Sequence, residues 1–331
     1  MPGRGLIVGK FYPPHRGHKH LIDFARSRVD ELSVIVCRKP GEFPAGELRA
    51  AWLREIHPDA NVLLIDDVYD EQDSRVWAEN SVRWLGFVPD VVFTSEDYGE
   101  PFAHFLGCEH VLVDRNREAV PVSGTMVRSN PLGFWNFLEP PVRAWYAKRI
   151  CLVGAESTGK TTLARMLAEH YRTVWVPEYG REYSERKLAE DGGYDWRSEE
   201  FTLIAKTQIE RENEAARRAN KVLICDTDAF ATGVWHRRYM DEHSPEVEAI
   251  AAGHRRPDLY LLTNADTPFV QDGTRDGESI REWMHETFVA ELTARRRSFR
   301  LLSGSLQERF NRAVECVDEV IAAKRSQSEE D

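Results

Sequence analysis

Short runs of β-branched and other apolar residues recur along the chain, and longer stretches with apolar positions every three or four residues separate them. In the first half the runs are Leu6–Val8, Leu32–Val36, Val62–Ile65, Val91–Phe93 and Val111–Val113. In the second they are Ile150–Val153, Val174–Val176, Val222–Cys225, Leu259–Leu262 and Arg300–Leu302. Runs that are apolar throughout indicate strands covered on both faces, and their alternation with amphipathic helices indicates parallel sheets. The pattern predicts an α/β protein with two doubly wound sheets. A break falls near Leu138-Glu139-Pro140-Pro141, where paired prolines interrupt regular structure. The aromatic stretch around it, Phe134–Trp145, predicts a packed junction.

A chain of 331 residues suits two domains, and 42% hydrophobic with 30% charged residues is ordinary for a globular protein with real cores. No apolar run approaches the roughly 18–20 residues of a membrane span. The N-terminus passes straight into Leu6-Ile7-Val8 without a signal-peptide core, which predicts a cytoplasmic protein. Five scattered cysteines without a CxxC pair argue against a metal or disulfide framework; Cys151 and Cys225 lie in apolar runs and read as buried packing. The net charge of −11 divides into −5 for residues 1–147 and −6 for residues 148–331. Such a balance offers duplex DNA no basic face, so any anionic ligand must be held by local sites.

Two local sites stand out. The first strand leads into Gly9-Lys10-Phe11-Tyr12-Pro13-Pro14-His15-Arg16-Gly17-His18 and then a helix. Gly17 permits close backbone approach, the helix start adds amide donors, and His15 and His18 can aim N–H groups at phosphate oxygens. After the fifth run comes Val122-Ser123-Gly124-Thr125-Met126-Val127-Arg128, where Ser123 and Thr125 read as capping hydroxyls with Arg128 one turn on. The segment Thr94–Gly99 ends the fourth run, where open parallel sheets place ligands. Trp77 reads either as a ring stacked on a substrate or as core.

In the second half the buried run Ile150–Val153 is followed by Gly154-Ala155-Glu156-Ser157-Thr158-Gly159-Lys160-Thr161, a GxxxxGK[ST] loop without a mismatch, and then a helix from Thr162. Its amides cradle phosphate, Lys160 reaches the β- and γ-phosphates, and Thr161 ligates Mg²⁺. The nucleotide-binding set is therefore Gly154, Glu156, Ser157, Thr158, Gly159, Lys160, Thr161 and Thr162. Lys160 reads as an exposed loop lysine that contributes little to stability. The second run ends at Glu178-Tyr179-Gly180-Arg181 and the third at Asp226-Thr227-Asp228, placing carboxylates at the sheet edge. Tyr179, Arg181 and Asp228 are substrate candidates, although Asp228 reads equally as a helix cap. Gln271–Gly277, with Arg275, has the glycine-flanked charged composition of a lid.

The first motif pair resembles the nucleotidylyltransferase superfamily that includes NMN adenylyltransferases, over about residues 5–135. Together with GAESTGKTTL, VPEYGREY, DTDAFATGVW and DGTR, the chain resembles the NadR-type bifunctional NMN adenylyltransferase and ribosylnicotinamide kinase family over nearly its whole length. That resemblance implies a Rossmann-like nucleotidylyltransferase domain over residues 1–140 and a P-loop nucleoside kinase domain over residues 148–325. It implies ATP as co-substrate, Mg²⁺ as cofactor, and nicotinamide riboside, NMN and NAD as the other small-molecule partners. Gly9, Lys10, Phe11, His15, His18, Ser123, Thr125 and Arg128 would hold ATP in the first domain, with His18 nearest the reacting centre. In the second, Glu178 or Asp226 would orient or deprotonate the ribose hydroxyl while the other serves Mg²⁺ with Thr161. The position of Asp226 in the Walker B region favours Glu178 as the base. Arg275 would stabilise the transferred phosphate, and Trp77 could stack on nicotinamide. Some members carry an N-terminal helix-turn-helix; here the first strand begins at about residue 5, so no DNA-binding or repressor activity is expected. Homo-oligomerisation is left open. Two alternatives remain: another adenylyltransferase, for pantetheine phosphate for example, fused to a deoxynucleoside kinase, and a non-catalytic NAD or ATP sensor.

Overall fold

The computed structural model describes residues 3–70, 72–191, 195–267 and 278–323. The chain forms two compact units, one over Met1–Val142 and one over Arg143–Arg325, each built on one five-stranded parallel sheet.

The first unit runs β1 (Arg4–Gly9), α1 (Arg16–Arg26), β2 (Glu31–Arg38), α2 (Gly46–Ile56), β3 (Asn61–Asp66), α3 (Ser74–Leu85), β4 (Val91–Thr94), α4 (Gly99–Leu106), β5 (Glu109–Leu112) and α5 (Gly124–Ser129). The spatial order is β3-β2-β1-β4-β5. Alternate residues of each strand feed different cores, as the two-residue period of a strand requires. Ile7, Val34, Val36, Val91 and Phe93 pack with Leu21 and Ile22 of α1 and Leu53 of α2. Leu6, Ile35, Cys37 and Val92 pack on the other face with Trp77 of α3 and Phe102 of α4. Both faces are therefore covered, and the open positions lie at the strands' carboxyl ends. Strand order reverses between β1 and β4, and at such a point the loops after the two strands diverge and leave a crevice.

The connection begins α6 (Pro140–Tyr146). The paired prolines thus start a helix, because proline at the first helical position lacks only an N–H that has no intrahelical partner anyway. Trp135, Leu138 and Val142 in this stretch are buried.

The second unit runs β6 (Lys148–Val153), α7 (Lys160–His170), β7 (Trp175–Val176), α8 (Tyr179–Asp191), α9 (Ser198–Ala216), β8 (Val222–Asp226), α10 (Ala229–Met240), α11 (Pro245–Ala252), β9 (Leu259–Thr263), α12 (Arg281–Ala294), β10 (Phe299–Leu302) and α13 (Leu306–Ala322). Its spatial order is β10-β9-β6-β8-β7, again reversing at the first strand of the unit. Every residue of β6 is buried. Ile150, Leu152, Ile224 and Leu261 pack against α7 and α13; Cys151 and Cys225 are also fully buried.

The ten predicted apolar runs fall on the ten strands. The fifth is displaced: β5 begins at Glu109 and stops at Leu112, so Val113 lies beyond it. Among the described residues no helix is long and apolar enough to cross a membrane.

Candidate active sites

At the crevice of the first unit, the β1–α1 loop and the start of α5 face one another across a cavity of about 780 Å³. His15 is the N-cap of α1. Its Nδ1 accepts from the amides of Gly17 at 3.1 Å and His18 at 3.4 Å. The expectation that these amides face a phosphate is therefore corrected: the His15 ring takes them. An accepting Nδ1 carries no proton, so the ring's N–H is at Nε2. The His18 ring stacks on His15, with centroids 3.7 Å apart, and Phe11 meets it edge-on at 5.0 Å. Burial, reinforced by the Arg117 and Arg128 charges, lowers the pKa of His15 to about 4. Burial and the neighbouring His15 lower that of His18 well below the ordinary value. Both rings are neutral hydrogen-bonding groups at neutral pH.

The loop is fixed from below by a residue without a sequence signal. Arg49 of α2 is fully buried, donates to the Lys10 carbonyl and to Glu42, and lies 4.9 Å from the Tyr12 ring. From the other side Arg128 donates to the Tyr12 carbonyl at 2.5 Å and to Thr125 Oγ1 at 3.1 Å. Ser123 Oγ caps α5 by accepting from Met126 N at 3.2 Å. A Cβ at Gly124 would stand 2.7 Å from the Tyr12 carbonyl oxygen, so the two loops approach too closely for any other residue. Gly9, Lys10, Phe11, His15, His18, Ser123, Thr125 and Arg128 thus line one cavity, joined by Ser95, Glu96 and Tyr98 from the end of β4. Trp77 is a core residue, packed against Tyr69 and Trp84 and donating from Nε1 to the Asp70 carbonyl, and it also lines the cavity.

In the second unit the loop between β6 and α7 opens on a cleft of about 310 Å³. Gly154 has φ 140°, and a Cβ there would stand 2.5 Å from Thr263 Oγ1. Lys160 is not an exposed loop lysine. It is 8% exposed, and its Nζ donates to the carbonyls of Gly154 at 2.9 Å and Ala155 at 2.8 Å, so it also holds the loop. Thr161 Oγ1 donates to Asp226 Oδ2 at 2.5 Å, while Asp226 Oδ1 is buried without a hydrogen-bond partner. Burial raises the pKa of Asp226, with Lys160 and Thr161 opposing it. Glu178 lines the cleft, and burial pushes its carboxyl up to about 7 against the pull of Lys160, with Asp226 adding repulsion.

Ser157, Thr158, Gly159, Thr162 and Arg181 also line the cleft. Glu156 lines it too, with its carboxylate paired to Arg238 at 2.7 Å. Two substrate candidates are placed elsewhere. Asp228 is buried as the N-cap of α10, accepting from Ala231 N at 2.9 Å and from the Tyr260 hydroxyl at 2.6 Å. Tyr179 is buried in the core with Phe201 and Ile204, its amide donating to Gln208 Oε1 at 3.0 Å. Arg275 and the rest of Gln271–Gly277 lie outside the described residues. Nothing in the sequence marks the cleft's aromatic wall of Trp196, Phe201, Trp235 and Tyr239, since these rings are brought together from α9, α10 and the segment before α9.

A strand–turn–helix cavity opens on each of two separate parallel sheets, the layout of a transferase that handles nucleotides at two sites. Residues 6–130 match the cytidylyltransferase-like family, and residues 149–309 match a family described as an AAA domain. The trifunctional NAD biosynthesis/regulator protein NadR of Escherichia coli is 31% identical over 347 residues, covering 97% of this chain and 84% of that protein. The protein of the same description from Salmonella typhimurium is 30% identical, covering 96% of this chain and 83% of its own. A solved structure of NadR in complex with NR superposes with a TM-score of 0.81 at 22% identity, over 100% of this chain and 99% of that one. The chain belongs to the NadR family.

Proposed function

We propose that the chain makes NAD in two steps, one at each site. The second unit transfers the γ-phosphoryl of ATP to the 5′-hydroxyl of nicotinamide riboside, giving NMN and ADP. The first unit joins NMN to the adenylyl group of ATP, giving NAD and pyrophosphate. The observation that carries this reading is the cleft of the second unit, where a phosphate loop faces a titratable carboxylate across from an aromatic wall. A nicotinamide ring bearing a fixed positive charge is the kind of nucleoside base that aromatic faces attract.

In the kinase step Glu178 accepts the proton of the ribose hydroxyl as its oxygen bonds to the γ-phosphorus and the bond to the β-phosphate oxygen breaks. A pKa near 7 suits a base that must take that proton at neutral pH. Lys160 and the loop amides oppose the charge that moves onto the leaving ADP. Mg²⁺ fits beside Thr161 and Asp226, whose buried, unpartnered Oδ1 is an orphan that a cation or its bound water satisfies; bound there it would neutralise phosphate charge.

In the adenylyl step a phosphate oxygen of NMN attacks the α-phosphorus and pyrophosphate departs. No side chain is covalently modified, so the unit contributes alignment and charge. His15 and His18 offer neutral N–H donors, and Arg128 with Ser123 and Thr125 receives the departing phosphates. The net charges of −5 and −6 on residues 1–147 and 148–331 disfavour duplex DNA, so the reading includes no nucleic-acid partner. The test is incubation of the chain with ATP, Mg²⁺ and nicotinamide riboside, following NMN and NAD by chromatography. NMN should appear first and NAD after it. Formation of neither product overturns the reading.

A further inference from the structure

α10 carries Trp235, Arg238 and Tyr239 at the i, i+3, i+4 spacing that stacks side chains on one helix face. Trp235 and Tyr239 line the kinase cleft. The guanidinium of Arg238 lies 5.2 Å from the Trp235 ring centre and 4.7 Å from that of Tyr239. Its Nη1 donates to Glu156 Oε1 at 2.7 Å, and the two side chains are 5% and 14% exposed. Glu156 belongs to the phosphate loop. A carboxylate there repels an incoming triphosphate, and with little water around it the repulsion is weakly screened. Its charge already reaches across the cleft, where it adds to the raised pKa of Glu178.

We propose that Arg238 is a positioning residue that serves both halves of the cleft. It neutralises Glu156 so that the loop accepts nucleotide phosphates, and it sets the two rings against which the acceptor nucleoside lies. The inference rests on reading this cleft as the kinase site. Each half has its own signature. Removing the arginine charge alone deprives the Glu156 carboxylate of its ion pair with Arg238, which costs more than the pair is worth where the remaining charge is poorly solvated. Removing both charges restores an electrically neutral loop, but the rings still lack their cation.

The experiment is a double-mutant cycle on the full chain, with KM for ATP and for nicotinamide riboside measured separately. Arg238→Gln should raise the ATP KM by about tenfold or more and the riboside KM several-fold. In the Glu156→Gln/Arg238→Gln chain the ATP KM should return to within about threefold of wild type while the riboside KM stays high. A purely structural arginine gives no such selective rescue, so additive effects on the ATP KM overturn the proposal. If Arg238→Gln does not fold, Glu156→Gln alone decides: an ATP KM at or below wild type supports the repulsion, and a higher one overturns it. A wild-type chain that phosphorylates a different nucleoside fails the substrate assignment above and leaves the ATP arm standing. One that phosphorylates no nucleoside sinks both.

Discussion

Glu178→Gln should stabilise the second unit while abolishing its kinase activity, and the stabilisation should grow with pH. The carboxyl of Glu178 titrates at about 7 in the fold against an ordinary 4.5, chiefly because burial disfavours its charged form. A carboxyl whose pKa is higher folded than unfolded holds its proton more tightly in the folded state. That advantage is fully present below pH 4.5 and is lost as pH rises through about 7. Above that, the folded protein carries a partly desolvated charge that the unfolded chain keeps in water. At about 1.4 kcal/mol per pKa unit the penalty reaches ~3 kcal/mol at pH 8. Glutamine has the same shape and no charge, so it removes the penalty. For a unit of this size, ~1 kcal/mol moves Tm by roughly 2–4 °C. The assay is calorimetry of wild type and variant without ATP or metal, between pH 5 and pH 8. It is read on the transition that nicotinamide riboside displaces upward, because two units need not melt together. The variant should melt close to wild type at pH 5 and several degrees higher at pH 8, and its turnover of nicotinamide riboside should fall by orders of magnitude. A difference that is flat across this range, or that favours the wild type at pH 8, would falsify the assignment of Glu178 as a base with a raised pKa.

His18→Ala should stop NAD formation from NMN and leave phosphorylation of nicotinamide riboside within a few-fold of wild type; loss of both in a folded protein would refute two independent sites. Lys160→Ala should cut kinase kcat by roughly 3 kcal/mol or more while sparing adenylyl transfer. Because Lys160 also holds two loop carbonyls, this variant should melt at a lower temperature than wild type, and an unchanged Tm would contradict that role. Asp228→Ala removes a helix cap and the acceptor of the Tyr260 hydroxyl, so it should cost about 2 kcal/mol in stability. Its KM for nicotinamide riboside should stay close to wild type, and a large rise would return Asp228 to the cleft.

Most strands were legible because their central residues form an unbroken apolar run, as in Leu6–Val8 and Ile150–Val153, a signature of a doubly covered parallel sheet that needs no tertiary knowledge. β5 was misplaced where that signature fails: Glu109 and His110 open the strand with polar residues at its edge. The phosphate loops were legible for a related reason, since a strand, a tight glycine turn and a helix are contiguous in sequence. Asp228 and Tyr179 follow the carboxyl ends of β8 and β7, near the cleft, and were drawn into the candidate site by proximity alone. One side chain turns back to cap its own helix, and the other faces the core. Arg49 and Arg238 could not be found this way. Each acts across long sequence distance on a loop it does not belong to, and nothing near either residue marks it.

The cap on α1 has a consequence for proton traffic. The Nδ1 lone pair of His15 is already engaged with two backbone amides, so adding a proton there would set three donors against one another and open the first turn of the helix. His15 is thereby barred from relaying protons: it can lend the N–H it already has, and it cannot cycle between one and two. Folding selects the tautomer, and a nitrogen-15 spectrum of the resting protein should show Nε2 protonated and Nδ1 bare down to about pH 5, well under where a free imidazole titrates.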